Sequence, residues 1–124
     1  MKIGSIVHPL FDPTLEKLSN EPLPLKAAYK VRVIVKAVQA QKVEYNELRD
    51  KALTTYGDKN EDGTLKVDEH GGVQFSGDNY KNFVKEISDL YAVEFETQKL
   101  TPEELGDIKL SAAELAAIED ILAF

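Results

Sequence analysis

The stretch KAAYKVRVIVKAVQAQKVEYNELRDKALTTY, residues 26–56, decides the fold, because it is the longest segment without glycine or proline. Glycine and proline interrupt helices, so their absence favours one continuous helix. Apolar side chains recur at spacings of three and four, the pattern of a helix that packs lengthwise on another. The spacing predicts a helix from Lys26 to Tyr56, with Gly57 at a left-handed stop. The apolar positions are Ala27, Val31, Ile34, Val38, Tyr45, Leu48 and Ala52.

This coiled-coil-like apolar stripe is the predicted contact surface. The next helical pattern, residues 78–90, is shorter and cannot cover the whole stripe. The remainder needs either the C-terminal helix or a neighbouring subunit. We therefore expect a protein partner or self-association through the long helix. The residues expected at the contact are Val31, Ile34, Val38, Gln41, Tyr45 and Leu48.

Two short alternating segments lie between these helices. Leu65 and Val67 alternate with polar residues, and so do Val73 and Phe75. Pairing residue 67 with 73, and 65 with 75, would put all four side chains on one face of a hairpin. Gly71 would then occupy the positive-φ position of the connecting turn.

The remaining elements are short. Asp12-Pro13 is typical of a helix start, and residues 93–95 alternate as in a strand. Thr101 and Ser111 each precede a Glu by three residues, the spacing of a capping box. The sequence thus predicts one α+β domain, residues 1–124. In it, a long helix and a shorter antiparallel helix are joined by a β-hairpin, with short terminal strands and a C-terminal helix.

The loop DKNEDGTLKVDE, residues 58–69, fits the calcium-loop template D-x-[DN]-x-[DN]-G-x5-E. Against calcium, Lys66 places a positive charge at the ninth position, and a strand rather than a helix follows. We favour a polar turn and keep a weak calcium site as the alternative, with no other cofactor expected. The ligands of that site would be Asp58, Asn60, Asp62, the Thr64 carbonyl and Glu69.

Composition excludes several function classes. The chain has no cysteine, so it has no disulfide or zinc–thiolate site. Neither a nucleophile elbow nor a phosphate-binding glycine loop is present, and we expect no enzymatic activity. A net charge of −7 opposes nucleic-acid binding by the basic run between residues 26 and 36. Residues 92–124 carry eight acidic and two basic side chains, a solvated face or a surface for a basic partner.

The hydropathy pattern of the sequence bears on the cellular location of the protein. The first residues lack the apolar core of a signal peptide, and no apolar run approaches the roughly 20 residues of a membrane span. We expect no membrane partner, and we expect the protein in a host cytoplasm or a virion.

Four segments together resemble one protein family. They are EPLPLKAAYKVRVIVKAV at residues 21–38, Tyr56-Gly57, KNEDGTLKV at residues 59–67, and LSAAELAAIEDIL at residues 110–122. The chain is similar over nearly its whole length to small phage-encoded proteins of Gram-positive bacterial phages, a family catalogued as a domain of unknown function. The resemblance implies a phage or prophage gene and no catalytic residues.

Three functions remain open at this point. The first is a non-enzymatic phage protein that binds protein, as a virion structural component or assembly accessory. The second is a small host-directed inhibitor whose acidic face imitates nucleic acid. The third is a single-loop calcium-binding module.

Overall fold

Six α-helices form the framework of the chain, and the computed structural model describes all 124 residues. A 3-10 turn, Glu119–Ile121, follows the last helix. The chain divides into a first unit, Met1–Lys42 with Tyr91–Phe124, and a second unit, Val43–Leu90. The helices are α1 (Ile3–Ile6), α2 (Phe11–Asn20), α3 (Leu25–Tyr56), α4 (Asn79–Tyr91), α5 (Pro102–Leu105) and α6 (Ala112–Ala117).

The predicted α+β class is wrong, because the structure contains no β-strand and no sheet. Residues expected to be extended near the N-terminus instead form α1. The expected strand at residues 93–95 makes only one isolated bridge, Lys2 with Glu94. A single bridge propagates no ladder, so residues 93–95 form no strand.

The first unit holds almost all of the buried apolar side chains. Thr14 is also buried there, and its hydroxyl donates to the Leu10 carbonyl at 2.7 Å. α2 packs against α1 and α6. The buried apolar residues of this unit are Ile3, Ile6, Phe11, Leu15, Leu18, Ala27, Val31, Ile34, Val38, Leu100, Leu105, Ala117, Ile118 and Ile121.

Polar contacts fix the short C-terminal helices. Thr101 and Ser111 cap α5 and α6, and each helix shows both hydrogen bonds of a capping box. Glu114 of the α6 box also faces Lys17 at 3.5 Å. Asp120 Oδ2 accepts a hydrogen bond from the Ser5 hydroxyl at 2.6 Å, which lowers the pKa of Asp120.

The second unit replaces the predicted hairpin with three short segments, residues 57–59, 65–67 and 73–75. We call them the three-segment loop. The Asp58 N–H donates to the Gln74 carbonyl at 2.8 Å, the Gln74 N–H to the Lys66 carbonyl at 3.0 Å, and the Lys66 N–H to the Asp58 carbonyl at 2.7 Å. The donors are spaced by eight residues, and their bonds close a ring.

This ring explains why the hairpin register fails. Val67 does pair with Val73, but only as one isolated bridge. Phe75 pairs with Gly57, and Leu65 pairs with Lys59, so the expected 65–75 pair is absent. Each of the three segments pairs with both of the others, so pairing between any two stops after one bridge.

Gly57 supplies space in this loop. Its φ is not positive, so the predicted left-handed stop is wrong. A Cβ at this position would lie 2.6 Å from the Leu53 carbonyl oxygen and 2.8 Å from both Leu65 Cδ2 and Val73 Cγ1. The segment entering from α3 can pack this closely only without a side chain. Gly71 does have the positive φ predicted for it, 79°.

Candidate functional site

The predicted calcium ligands each have a local partner among residues 58–76. Asp58 Oδ2 accepts a hydrogen bond from the Ser76 hydroxyl at 2.7 Å. Asn60 Nδ2 donates to Thr64 Oγ1 at 3.1 Å. The Thr64 carbonyl accepts from the Asn60 N–H at 2.8 Å.

The two other carboxylates of the template also have separate surroundings. Asp62 Oδ1 accepts from the Thr64 hydroxyl at 2.6 Å and from its N–H at 3.0 Å, and these bonds lower the pKa of Asp62. Glu69 is exposed and lies 3.6 Å from His70 Nε2. No three His, Cys, Asp or Glu side chains converge as a metal site. The loop geometry is that of an Asx-type turn, and the calcium assignment stays a prediction.

The predicted contact stripe of α3 divides between the two units. Val31, Ile34 and Val38 are 3%, 0% and 2% exposed, inside the core of the first unit. They cannot meet a partner while that unit is folded. This part of α3 therefore needs no neighbouring subunit to cover it. Gln41 and Tyr45 are half-buried, and Leu48 is 45% exposed.

The second unit is packed very differently. Ala52 is its one buried apolar side chain. α4 places Tyr80, Phe83 and Ile87 at helical spacing and is strongly amphipathic, yet no residue of α4 is buried. An amphipathic helix in a globular protein normally buries its apolar stripe. Here the stripe lies on an incompletely covered face.

An open groove of about 440 Å³ lies between α3 and α4 on this face. Leu48, Ala52, Ile87 and Leu90 supply its apolar lining. At the Tyr56 end of α3, the Tyr56 hydroxyl donates to Glu86 Oε1 at 2.8 Å, which raises the pKa of Tyr56. We call this groove, with its full lining, the α3–α4 groove. Its lining is completed by Lys51, Thr55, Glu86 and Asp89.

The charges of the α3–α4 groove are divided between its walls. Lys51 stands on the α3 wall, whereas Glu86 and Asp89 stand on the α4 wall. Neither Lys51 nor Asp89 makes a side-chain ion pair or hydrogen bond within the chain. The groove can therefore contact an apolar helix and offers unpaired charges of both signs at its edges.

Sequence reasoning found Leu48 but missed the α4 wall. The apolar residues of that wall, Ile87 and Leu90, recur with the periodicity of an ordinary core helix. The periodicity shows which face is apolar but does not show what covers it. The eight-residue spacing of the three-segment loop was a visible signal, since Asn60, Asp68 and Ser76 each begin a turn.

Comparison with known proteins places the chain in no group: no family profile, curated protein or solved structure matches it. No helix of the structure has both the length and the apolar character needed to cross a membrane.

Proposed function

We propose that this chain is a non-enzymatic phage protein that acts by binding protein, as a virion component or assembly accessory. The contact surface is the α3–α4 groove together with the incompletely covered stripe of α4. One observation carries the proposal: α4 is strongly amphipathic and has no buried residue. This replaces the contact surface predicted around Val31, Ile34 and Val38.

Burial energetics supports a binding role for this face. Leu48, in the groove, is 45% exposed, and Tyr80 and Val84, on α4 outside the groove lining, are 60% and 41% exposed. Each apolar side chain removed from water contributes on the order of 1.5–3 kcal/mol when it is fully buried. A contiguous apolar face is typical of protein-binding sites, and a helix lying in a groove is a common way to cover one.

The resemblance to phage-encoded proteins supports the biological setting. The residues 21–38 and 110–122 that carry it contribute Val31, Ile34, Ile118 and Ile121 to the core of the first unit. The resemblance thus describes the scaffold, whereas the α3–α4 groove supplies a place for a partner.

Quantitative mass spectrometry of purified particles and assembly intermediates tests this proposal. We expect the chain in one of them at a fixed copy number relative to the structural proteins. Its absence from both would overturn the virion and assembly role.

A matched pair of variants tests the groove itself. Leu48→Glu places a charge in the groove, whereas Val43→Glu places it on the same helix at a 57% exposed position outside the lining. We expect the first variant to be lost from particles or intermediates and the second to be retained. Equal retention of both variants would remove the groove from the proposal.

A second candidate, a host-directed inhibitor that imitates nucleic acid, is favoured by five exposed carboxylates in residues 92–124. Salt-sensitive co-purification with a host nucleic-acid-binding protein would support it, because such contacts weaken as salt rises. The other three carboxylates of that segment are half-buried and internally bonded. The exposed ones are Glu94, Glu96, Glu103, Asp107 and Glu119.

A further inference from the structure

We propose that the occupant of the α3–α4 groove is the same groove of a second copy of this chain, related by a two-fold axis. This inference rests on the proposed function, because it names the partner of the same surface. In the resulting dimer, Lys51 of each copy faces Asp89 of the other.

The distribution of charge selects this occupant. A two-fold contact uses the same patch on both copies, so the patch must be complementary to itself. The α3–α4 groove meets that condition, with a base on the α3 wall and acids on the α4 wall. When the α3 wall of each copy lies on the α4 wall of the other, each Lys51 faces the acidic residues of the other copy, so the contact forms twice. A uniformly charged groove would repel its own copy.

The unused charges support the same arrangement. Lys51 and Asp89 make no ion pair within their own chain, so both are available for contacts across the axis. Glu86 differs from these two residues, because its carboxylate already accepts a hydrogen bond from the Tyr56 hydroxyl, which orients it. Lys51 and Asp89 are therefore the pair that decides the alignment of the two copies.

The apolar part of the contact drives association, and the charges orient it. Leu48, Ile87 and Leu90 of two copies would close over one another as in a four-helix bundle. The α3 wall, residues 48–55, is only about two turns long. The interface is therefore small, and we expect a reversible dimer rather than an obligate one.

Charge reversal distinguishes this two-fold dimer from unspecific apolar association. Lys51→Asp gives a groove whose charges are all acidic, and Asp89→Lys adds a second base. In each homodimer the facing pair becomes like-charged, so we expect dissociation constants to rise about tenfold or more. Mixed together, the two variants restore opposite charges at both facing positions. We expect the mixture to form a heterodimer with affinity near that of the wild type.

The experiment is sedimentation over a concentration series for the wild type, each variant and their equimolar mixture. Arg49→Asp is the matched control, because it changes the charge of α3 by the same amount at an exposed position outside the groove. Circular dichroism confirms that each variant is folded. We expect this control to dimerise like the wild type.

Two results would overturn the inference. One is a wild type that stays monomeric throughout the series. The other is a mixture that associates no better than the separate variants. Neither result contradicts the proposed function. If Leu48→Glu is lost from particles while Val43→Glu is retained, the groove still binds a partner, and that partner is a different protein. Absence of the chain from particles, with a restored heterodimer, would instead leave the dimer and remove the assembly role.

Discussion

Glu104 Oε1 accepts a hydrogen bond from Lys30 Nζ at 2.9 Å and a second from the Thr101 N–H at 3.1 Å. Lys30 on α3 is thereby tied to the capping box of α5, inside the first unit. The Lys30 ammonium and then the Thr101 N–H hold the pKa of Glu104 below its ordinary value of 4.5.

This contact predicts a pH dependence. A carboxyl with a depressed folded-state pKa stabilises the fold above its unfolded-state pKa, and that contribution is lost as pH falls through the folded-state value. We expect the wild type to lose more stability than Glu104→Gln when the pH is lowered below 4.5. Urea midpoints at a series of pH values measure this. Glu103→Gln, at an exposed neighbouring residue, should behave like the wild type, and identical pH profiles for all three proteins would refute the linkage.

Gly57 should be intolerant of even one methyl group. Gly57→Ala would place a Cβ 2.6 Å from the backbone oxygen of Leu53 and 2.8 Å from Leu65 and Val73. Overpacking of this kind costs about 1–3 kcal/mol. Denaturant unfolding measures the cost. Gly72→Ala is the matched comparison, since its Cβ would meet the Asp68 side chain at 3.0 Å and no backbone oxygen. Equal effects of the two substitutions would contradict the close approach at Gly57.

The buried part of α3 should matter for stability and not for association. Ile34→Ala removes a fully buried side chain, and we expect a loss of about 2–5 kcal/mol in the free energy of unfolding. Leu25→Ala, at an 88% exposed position on the same helix, should cost almost nothing. Thermal unfolding measures both effects. A nearly neutral Ile34→Ala would make this residue a candidate for partner contact again.

Calcium binding at residues 58–69 can be decided by calorimetry. Because Asp58 and Asp62 already accept local hydrogen bonds, we expect no saturable heat when calcium is added to the chelator-stripped protein. Asp58→Ala is measured beside the wild type. Saturable heat that disappears in Asp58→Ala would make the loop a metal site and would require the three-segment loop to rearrange.

Helix positions were predictable because their signals are local. The segment without glycine or proline became α3, Leu25–Tyr56, and the boxes at Thr101 and Ser111 opened α5 and α6. These signals rest on backbone sterics and on hydrogen bonds within four residues. Neighbouring residues are sufficient to specify them.

The periodicity of the sequence did not predict which residues pack over the apolar stripe of α3. Ile3, Phe11 and Leu100, buried with the stripe of α3, belong to short or irregular segments that carry no long repeat. In the same way, alternation at residues 65–67 and 73–75 cannot distinguish a hairpin from three segments. The third segment, at residues 57–59, has no apolar side chain to reveal it.

Amide hydrogen exchange of the free chain, compared with the same chain in assembled particles or intermediates, tests the central claim most directly. Helices with few buried contacts open readily, so α4 should exchange faster than α2 in the free protein. On assembly we predict strong protection of residues 79–91 and 48–55, and little change in residues 11–20. Unchanged exchange in α4, with new protection confined to residues 92–124, would contradict the claim that the α3–α4 groove is the contact surface.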